Sequence, residues 1–286
     1  MRVLAFATDS DGYLPLLLSS ADRFGFELEI VGWGTAWHGM TTKLTRYHEE
    51  LRRRRSDEVV MLIDAYDVFF AAPAALSAMA FKEMGLPYLL SGQRYFPSSP
   101  FMRELSDRVM GLDPAGRFGR RVEAERYGRP CMGALMGHAG ALTELLSKLI
   151  AIEERQRRGD DQVLLNLYLE EHPEEAYVDR ECRIFQSLWR TRGSFSIAGS
   201  FHPNDADAEV RILASGRLEN RFTRTCPQVI HGPMDLDMNP LLEALGYDVD
   251  GLERTGSGKY FYYGMGNHLK HFLETGAAVL KRRLAR

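Results

Sequence analysis

Two rhythms of apolar residues alternate along the first third of the chain. RVLAFATD (2–9) is a short apolar run that ends in polar residues, the pattern of a buried strand. It is followed over 12–24 by Leu14, Leu17, Leu18 and Ala21 at helical spacing. FELEIVGWG (26–34) alternates and then stops at glycines, which predicts a second strand. The amphipathic, charged stretch 42–55 predicts a helix whose basic end suits the negative end of the helix dipole. VVMLID (59–64) reads as a third strand, PAALSAMAFKEM (73–84) as a helix with proline in its first turn, and PYLLSG (87–92) as a fourth strand. Strands alternating with helices predict a Rossmann-like α/β sheet.

The remainder is less regular. CMGALMGHAG (131–140) predicts a strand entering a helix, 141–154 a helix, and 160–170 another helix with an acidic first turn. Short strands are expected within 178–189, 210–213 and 228–232, and a helical period begins at about residue 267 in the tail 259–286. Neither an internal repeat nor a Gly/Ser linker is visible, so one domain over 1–286 is expected. Within it the regular first part spans about 1–95, the less regular part about 96–258, and the helical tail 259–286.

The third strand carries the first chemical puzzle. VVMLIDAYDVFF (59–70) is built for burial, yet it contains Asp64 and Asp67, and a buried carboxylate without a partner loses its hydration at a high cost. In open α/β sheets ligands bind beyond the carboxyl ends of the strands, which is where these aspartates fall. Two carboxylates three residues apart can converge on a hard cation such as Mn²⁺ or Mg²⁺. They can equally be turn residues capping backbone N–H groups.

Similar alternatives hold elsewhere. Asp160-Asp161-Gln162 follows a basic segment; its acids can cap a helix N-terminus, or face a sugar's hydroxyls and developing positive charge. His231, closing the run QVIHG, can be a hydrogen-bonded structural residue or, as a neutral imidazole, a third metal ligand. Neither GxxxxGK[ST] nor GxSxG occurs, which removes support for a P-loop NTPase or an α/β-hydrolase.

Composition narrows the picture modestly. Hydrophobic residues make up 45% and charged residues 26%, with a formal net charge of -3, which fits a folded domain and argues against bulk nucleic-acid binding. The basic runs 52–55, 117–121, 155–158 and 281–286 read as solvated helix faces. Three cysteines without CxxC spacing point to free thiols in a reducing compartment. With no apolar segment near the ~20 residues that span a bilayer and no signal-like start, a soluble, cytoplasmic protein without membrane attachment is expected. The oligomeric state is left open.

The order of these segments resembles the glycosyltransferase domain of the lysyl hydroxylases, multifunctional enzymes that modify collagen, and related viral and bacterial proteins. The resemblance is carried by FATDSDGYLPLL, WHG (37–39), Lys43, VVMLIDAYDVFF, LLSGQ, DDQ (160–162), DRECRIFQSL and VIHG. It implies a GT-A-type Rossmann-like mixed sheet flanked by helices, a UDP-sugar donor as co-substrate, and Mn²⁺ (or Mg²⁺) as cofactor. By that resemblance Asp64, Asp67 and His231 would hold the metal in a DxD-like arrangement against the diphosphate. Thr8, Trp37, Lys43 and Tyr66 would surround the nucleotide, with Asp64, Gln162 and Gly232 also on the donor. Asp160 and Asp161 would be the catalytic carboxylates near the sugar. A divalent cation offsets the charge growing on a UDP leaving group, and a carboxylate near the anomeric carbon stabilises oxocarbenium character or deprotonates the acceptor.

Several positions depart from the family pattern. Gln93 stands where the family has an acidic residue, Phe96 where it has tryptophan, Cys131-Met132-Gly133-Ala134 where it has Asn-Ser-Gly-Gly, and Pro233 where it has Asn. Metal and nucleotide positions are kept while sugar and acceptor positions have drifted, so a different donor sugar or acceptor is expected. The implied activity is hexosyl transfer to a hydroxyl on a hydroxylysine-like protein, a glycan or a hydroxymethylated DNA base. The DNA option rests on the basic clusters and Lys259-Tyr260-Phe261-Tyr262-Tyr263. The competing readings are a catalytically inactive nucleotide-sugar-binding or scaffold protein, and a different metal-dependent enzyme acting on phosphates.

Overall fold

The computed structural model describes residues 1–93, 127–156, 159–188, 209–232 and 238–252. Its main sheet begins with β1 (Arg2–Phe6), β2 (Glu27–Val31) and β3 (Val59–Asp64), joined by helices α1 (Leu14–Phe24) and α2 (Met40–Leu51). After β4 (Val68–Phe70) come α3 (Ala74–Met84), β5 (Tyr88–Gln93), β6 (Arg129–His138), α4 (Ala139–Gln156) and α5 (Asp161–Glu171). The later elements are β7 (Val178–Asp179), β8 (Phe185–Ser187), β9 (Val210–Ile212), β10 (Leu218–Asn220), β11 (Val229–His231) and α6 (Asn239–Ala244).

The six-stranded sheet has the order β2-β1-β3-β6-β5-β7. β1 is parallel to both β2 and β3, whereas β6 runs antiparallel to β3 and β5. The architecture is therefore a mixed α/β sheet flanked by helices, consistent with a GT-A Rossmann-like fold.

Both faces of this sheet are buried, and the period-2 alternation of strands divides the core accordingly. Leu4, Phe6, Val60 and Leu62 pack with Leu44 and Leu51 of α2 and Leu142 and Leu149 of α4. Val3, Ala5, Met61 and Ile63 pack on the other face with Leu14, Leu17 and Ala21 of α1 and Phe81 of α3. The chain leaves β1 over one face to reach β2 and returns over the opposite face to β3, on β1's far side. That reversal opens a crevice beyond the carboxyl ends of β1 and β3, where α/β sheets bind ligands.

Element boundaries follow the hydrophobic pattern closely, with three differences. The first two strands end earlier than their apolar runs, since the glycine turn after β2 and the polar turn after β1 leave the sheet. The run 59–70 does not remain one strand: after the turn at Asp64–Asp67 the chain re-enters as β4 in a separate three-stranded sheet of order β4-β11-β8. Strand β10 and helix α6, which no sequence signal marked, complete a third cluster around Tyr13, Phe69, Ile230 and Leu242. The expected tail helix, the 259–263 segment, the runs 117–121 and 281–286, Phe96 and Pro233 lie outside the described residues.

Candidate metal and nucleotide site

Asp64 is the last residue of β3 and pairs in register with Phe6 at the end of β1. The next residues form a turn held by the Tyr13 amide on the Tyr66 carbonyl at 2.9 Å and the Gly232 amide on the Asp67 carbonyl at 2.8 Å. Because β11 runs antiparallel to β4, His231 pairs with Val68 and lies beside Asp67. The ring Nε2 is 3.3 Å from Asp67 Oδ2. Asp64, Asp67 and His231 each offer one ligand atom, and these atoms all lie within 4.8 Å of one another.

These residues fit a divalent cation. Asp67 Oδ1 is buried and has no hydrogen-bond partner among the described residues, an arrangement that is costly unless a charge completes it. Two carboxylates and an imidazole form an oxygen-rich donor set suited to Mn²⁺ or Mg²⁺. Burial alone would push the His231 imidazole down, but the Asp67 carboxylate and the Cys131 sulfur outweigh it and hold the ring well above the usual histidine range.

Lys43 lies between two acidic side chains, Asp64 and Asp161. It projects from α2, is buried, and its Nζ lies 2.7 Å from Asp64 Oδ1 and 2.5 Å from Asp161 Oδ2. Burial works against its charge, yet Asp161 and then Asp64 hold it well above the ordinary lysine value. Burial pushes the Asp161 carboxyl up, while Lys43 opposes that shift. Tyr47, one turn further along α2, donates to the Ile63 carbonyl at 2.7 Å and accepts from the Phe6 amide at 2.8 Å. That tyrosine ties α2 to the ends of β1 and β3 and so fixes where Lys43 points. A bound cation would displace the proton from the imidazole, and Asp64, Asp67 and Asp161 against Lys43 would then leave two negative charges, the complement of one divalent cation.

The segment 160–162 divides its work among its three residues. The Asp160 side chain accepts from the Val163 amide at 3.0 Å and caps α5. Asp161 turns inward to Lys43. Gln162 grips the backbone of β6: its Oε1 accepts from the Met132 amide at 3.0 Å and its Nε2 donates to the Pro130 carbonyl at 2.9 Å. That strand needs the support, since its pairing with β5 shifts register between Leu90 and Ser91. The cap reading and the functional placement thus coexist within one helix turn.

The other expected donor-side residues gather at the carboxyl end of β1. The Tyr66 hydroxyl accepts from the Thr8 amide at 2.8 Å and donates to Asp9 at 3.2 Å. The Thr8 carbonyl accepts from Gly34 at 3.0 Å. Trp37 packs on Phe6 with ring centroids 5.6 Å apart. Gly32 sits at φ +87° with its α-carbon against the Phe6 ring, a position open only to glycine. Thr8, Trp37, Lys43, Tyr66 and the metal-type triad therefore share one rim of the sheet.

Ser187 escaped the sequence reading, and the packing roles of Gly133, Cys131, Met132 and Gln93, noted there only as departures from the family pattern, come from the structure. A Cβ at Gly133 would run into the His231 ring, so this glycine makes the room in which the imidazole sits. Cys131 Sγ lies 3.6 Å and Ser187 Oγ 3.4 Å from His231 Nδ1. Met132 belongs to the apolar core and Gln93 is half-buried at the end of β5. The only sequence hint was the glycine within CMGA; serines in strands carry no signal of their own.

The described residues form a mixed α/β fold with an acidic, histidine-bearing cluster at the switch point of its sheet. Residues 1–103 match the family model described as the PLOD GT domain. The chain is similar to the "Multifunctional procollagen lysine hydroxylase and glycosyltransferase" of Caenorhabditis elegans, 26% identical over 263 residues that cover 85% of this chain and 32% of that protein. It is also similar to the "Procollagen-lysine,2-oxoglutarate 5-dioxygenase 1" of Mus musculus, 24% identical over 260 residues, 84% of this chain and 31% of that protein. The chain thus spans about a third of the length of these curated relatives. The matches bear out the resemblance to the glycosyltransferase domain of the lysyl hydroxylase family. No described helix is long and apolar enough to cross a membrane.

Proposed function

We propose that the chain, read as a single domain, is a divalent-cation-dependent glycosyltransferase that moves a sugar from a UDP-sugar to a hydroxyl acceptor. The observation that carries this reading is the convergence of Asp64, Asp67 and His231, with an Asp67 oxygen that has no partner among the described residues, at the switch point of a nucleotide-type sheet. When bound there, Mn²⁺ or Mg²⁺ would act as a Lewis acid on the diphosphate leaving group. Lys43 holds Asp64 in place and balances Asp161. Thr8, Tyr66 and Trp37 form the rim on which the nucleoside would rest, and Gly232 fixes the Asp67 carbonyl beside it. Asp161 faces the pocket as the carboxylate for the sugar side, while Asp160 orients it by capping α5.

UDP release from a panel of UDP-sugars with Mn²⁺ tests this reading. The assay is run alone and with three acceptor classes: hydroxylysine-bearing peptide, glycan, and hydroxymethylated DNA. Turnover that depends on Mn²⁺ and vanishes in Asp67→Ala supports it. Turnover undiminished in the Asp64→Ala/Asp67→Ala double variant refutes the metal assignment.

One observation favours a second reading, a nucleotide-sugar-binding protein without catalysis. Cys131 lies buried against His231 and Met132 is packed in the core, so neither offers a sugar the polar contact expected at that loop. UDP binding without turnover on any acceptor would establish it.

A further inference from the structure

We infer that Ser187 and Ser91 decide which ring nitrogen of His231 faces the acidic pair, through a buried hydrogen-bond chain whose direction is forced. The inference rests on the metal reading of the Asp64, Asp67 and His231 site, and it concerns positioning residues behind that site.

The chain starts at His231 Nδ1, 3.4 Å from Ser187 Oγ. Ser187 Oγ lies 3.5 Å from Ser91 Oγ. Ser91 Oγ in turn donates to the Cys131 carbonyl oxygen at 3.1 Å. Both serines and His231 are buried, so each bond lost here is lost without replacement from bulk solvent.

A carbonyl oxygen can only accept, whereas a hydroxyl has a single hydrogen. Ser91 therefore spends its hydrogen on Cys131 and must accept from Ser187. Ser187 then has no hydrogen left for the imidazole and must accept from it. Every bond in the series is made only if Nδ1 carries a hydrogen. Cys131 Sγ, 3.6 Å from the same nitrogen, adds a weak second acceptor on that side. Nε2, on the opposite side of the ring and 3.3 Å from Asp67, is left to present its lone pair to a cation. A metal-ligating histidine is commonly held through its other ring nitrogen in this way.

The backbone supports the same arrangement. Ser187 pairs with His231 between β8 and β11, and Ser91 pairs with Cys131 between β5 and β6. Gln162 grips Pro130 and Met132 on either side of Cys131, which fixes the terminal acceptor. The missing Cβ of Gly133 lets the ring lie flat against β6. Ser187, Ser91, Gln162 and Gly133 come from four different strands and helices, and together they determine one ring orientation.

Two measurements on the full chain test the inference. Mn²⁺ binding, followed by the paramagnetic resonance of the free ion, is compared between the native protein and Ser187→Ala. Loss of such an outer partner costs metal affinity about 10- to 100-fold, and a weakening of at least tenfold with unchanged circular dichroism is expected. The ring-nitrogen signals of ¹⁵N-histidine in the Zn²⁺-loaded native protein read the orientation directly. They should show Nδ1 protonated and Nε2 on the metal. Equal Mn²⁺ affinity in Ser187→Ala, or ring signals placing the cation on Nδ1, would overturn the inference while leaving the metal site standing. A native protein that binds neither ion overturns both. If Ser187→Ala does not fold, the ring signals of the native protein decide alone.

Discussion

Lys43 and Asp161 form a buried ion pair of 2.5 Å between α2 and the first turn of α5. The same ammonium reaches Asp64 at the end of β3, so one lysine joins the two helices to the metal-type carboxylates. Removing one partner of a buried pair leaves an uncompensated charge and costs roughly 3–5 kcal/mol, whereas replacing both by apolar residues is often neutral. Lys43→Met should therefore lower stability by about 3 kcal/mol in urea unfolding, and Lys43→Met/Asp161→Leu should regain most of it. A single variant as stable as the native protein would show that the pair is not the constraint described here.

The orphaned Asp67 oxygen gives a second expectation. Asp67→Ala should abolish measurable Mn²⁺ binding and reduce UDP release by at least about 100-fold, in line with removing a Lewis-acid site. Its thermal unfolding without metal should come earlier, because the substitution leaves the buried His231 imidazole without the carboxylate that supports its charge. Calorimetric titration with Mn²⁺ and differential scanning fluorimetry check the two halves independently.

Gly133 supplies a steric prediction. In Gly133→Ala the new methyl meets the His231 ring, and overpacking of this kind costs roughly 1–3 kcal/mol. The ring must rotate or move to relieve the contact, so weaker Mn²⁺ binding should accompany the lost stability. A variant with native metal affinity and native Tm would mean that the β6 backbone yields more readily than its Gln162 clamp suggests.

Glu175 lies away from the site and links acid stability to the α4–α5 packing. Its carboxylate accepts from the Tyr168 hydroxyl at 2.5 Å and pairs with Lys148 at 3.4 Å. Burial pushes this carboxyl up, but the Tyr168 and Lys148 contacts prevail and hold it below the usual glutamate value. A carboxyl lowered in the folded state stabilises the fold above its unfolded value, and that contribution is lost as pH falls through the folded value. Glu175→Gln should thus lower Tm at pH 7 and flatten the decline of Tm between about pH 5 and 3. Parallel Tm curves for the two proteins would remove this group from the acid response.

The sequence alone determined the periodic parts of the molecule. Strands β1, β2, β3 and β5 and helices α1 to α5 follow from apolar spacing, because a strand buried on both faces and a helix buried on one leave different rhythms in the chain. The placement of Asp64 and Asp67 at a strand end was legible for the same reason, and the order of short motifs raised them from a turn to a site. His231 was visible as a residue, but its partnership with Asp67 was not. It depends on β11 pairing antiparallel with β4, a contact across more than half the chain that no local pattern encodes.

Other features belong to the tertiary structure alone. Whether Asp160 or Asp161 faces the pocket is set by helix phase: the N-cap aspartate turns back onto Val163, and the next residue faces Lys43. That Gln162 holds a backbone, that Gly133 makes room for an imidazole, and that Ser187 and Ser91 stand in series behind it were equally invisible. Each is a relation between segments distant in sequence, created only when the strands are laid side by side. Local propensity shapes the elements, but the close approach of buried polar groups is decided by packing.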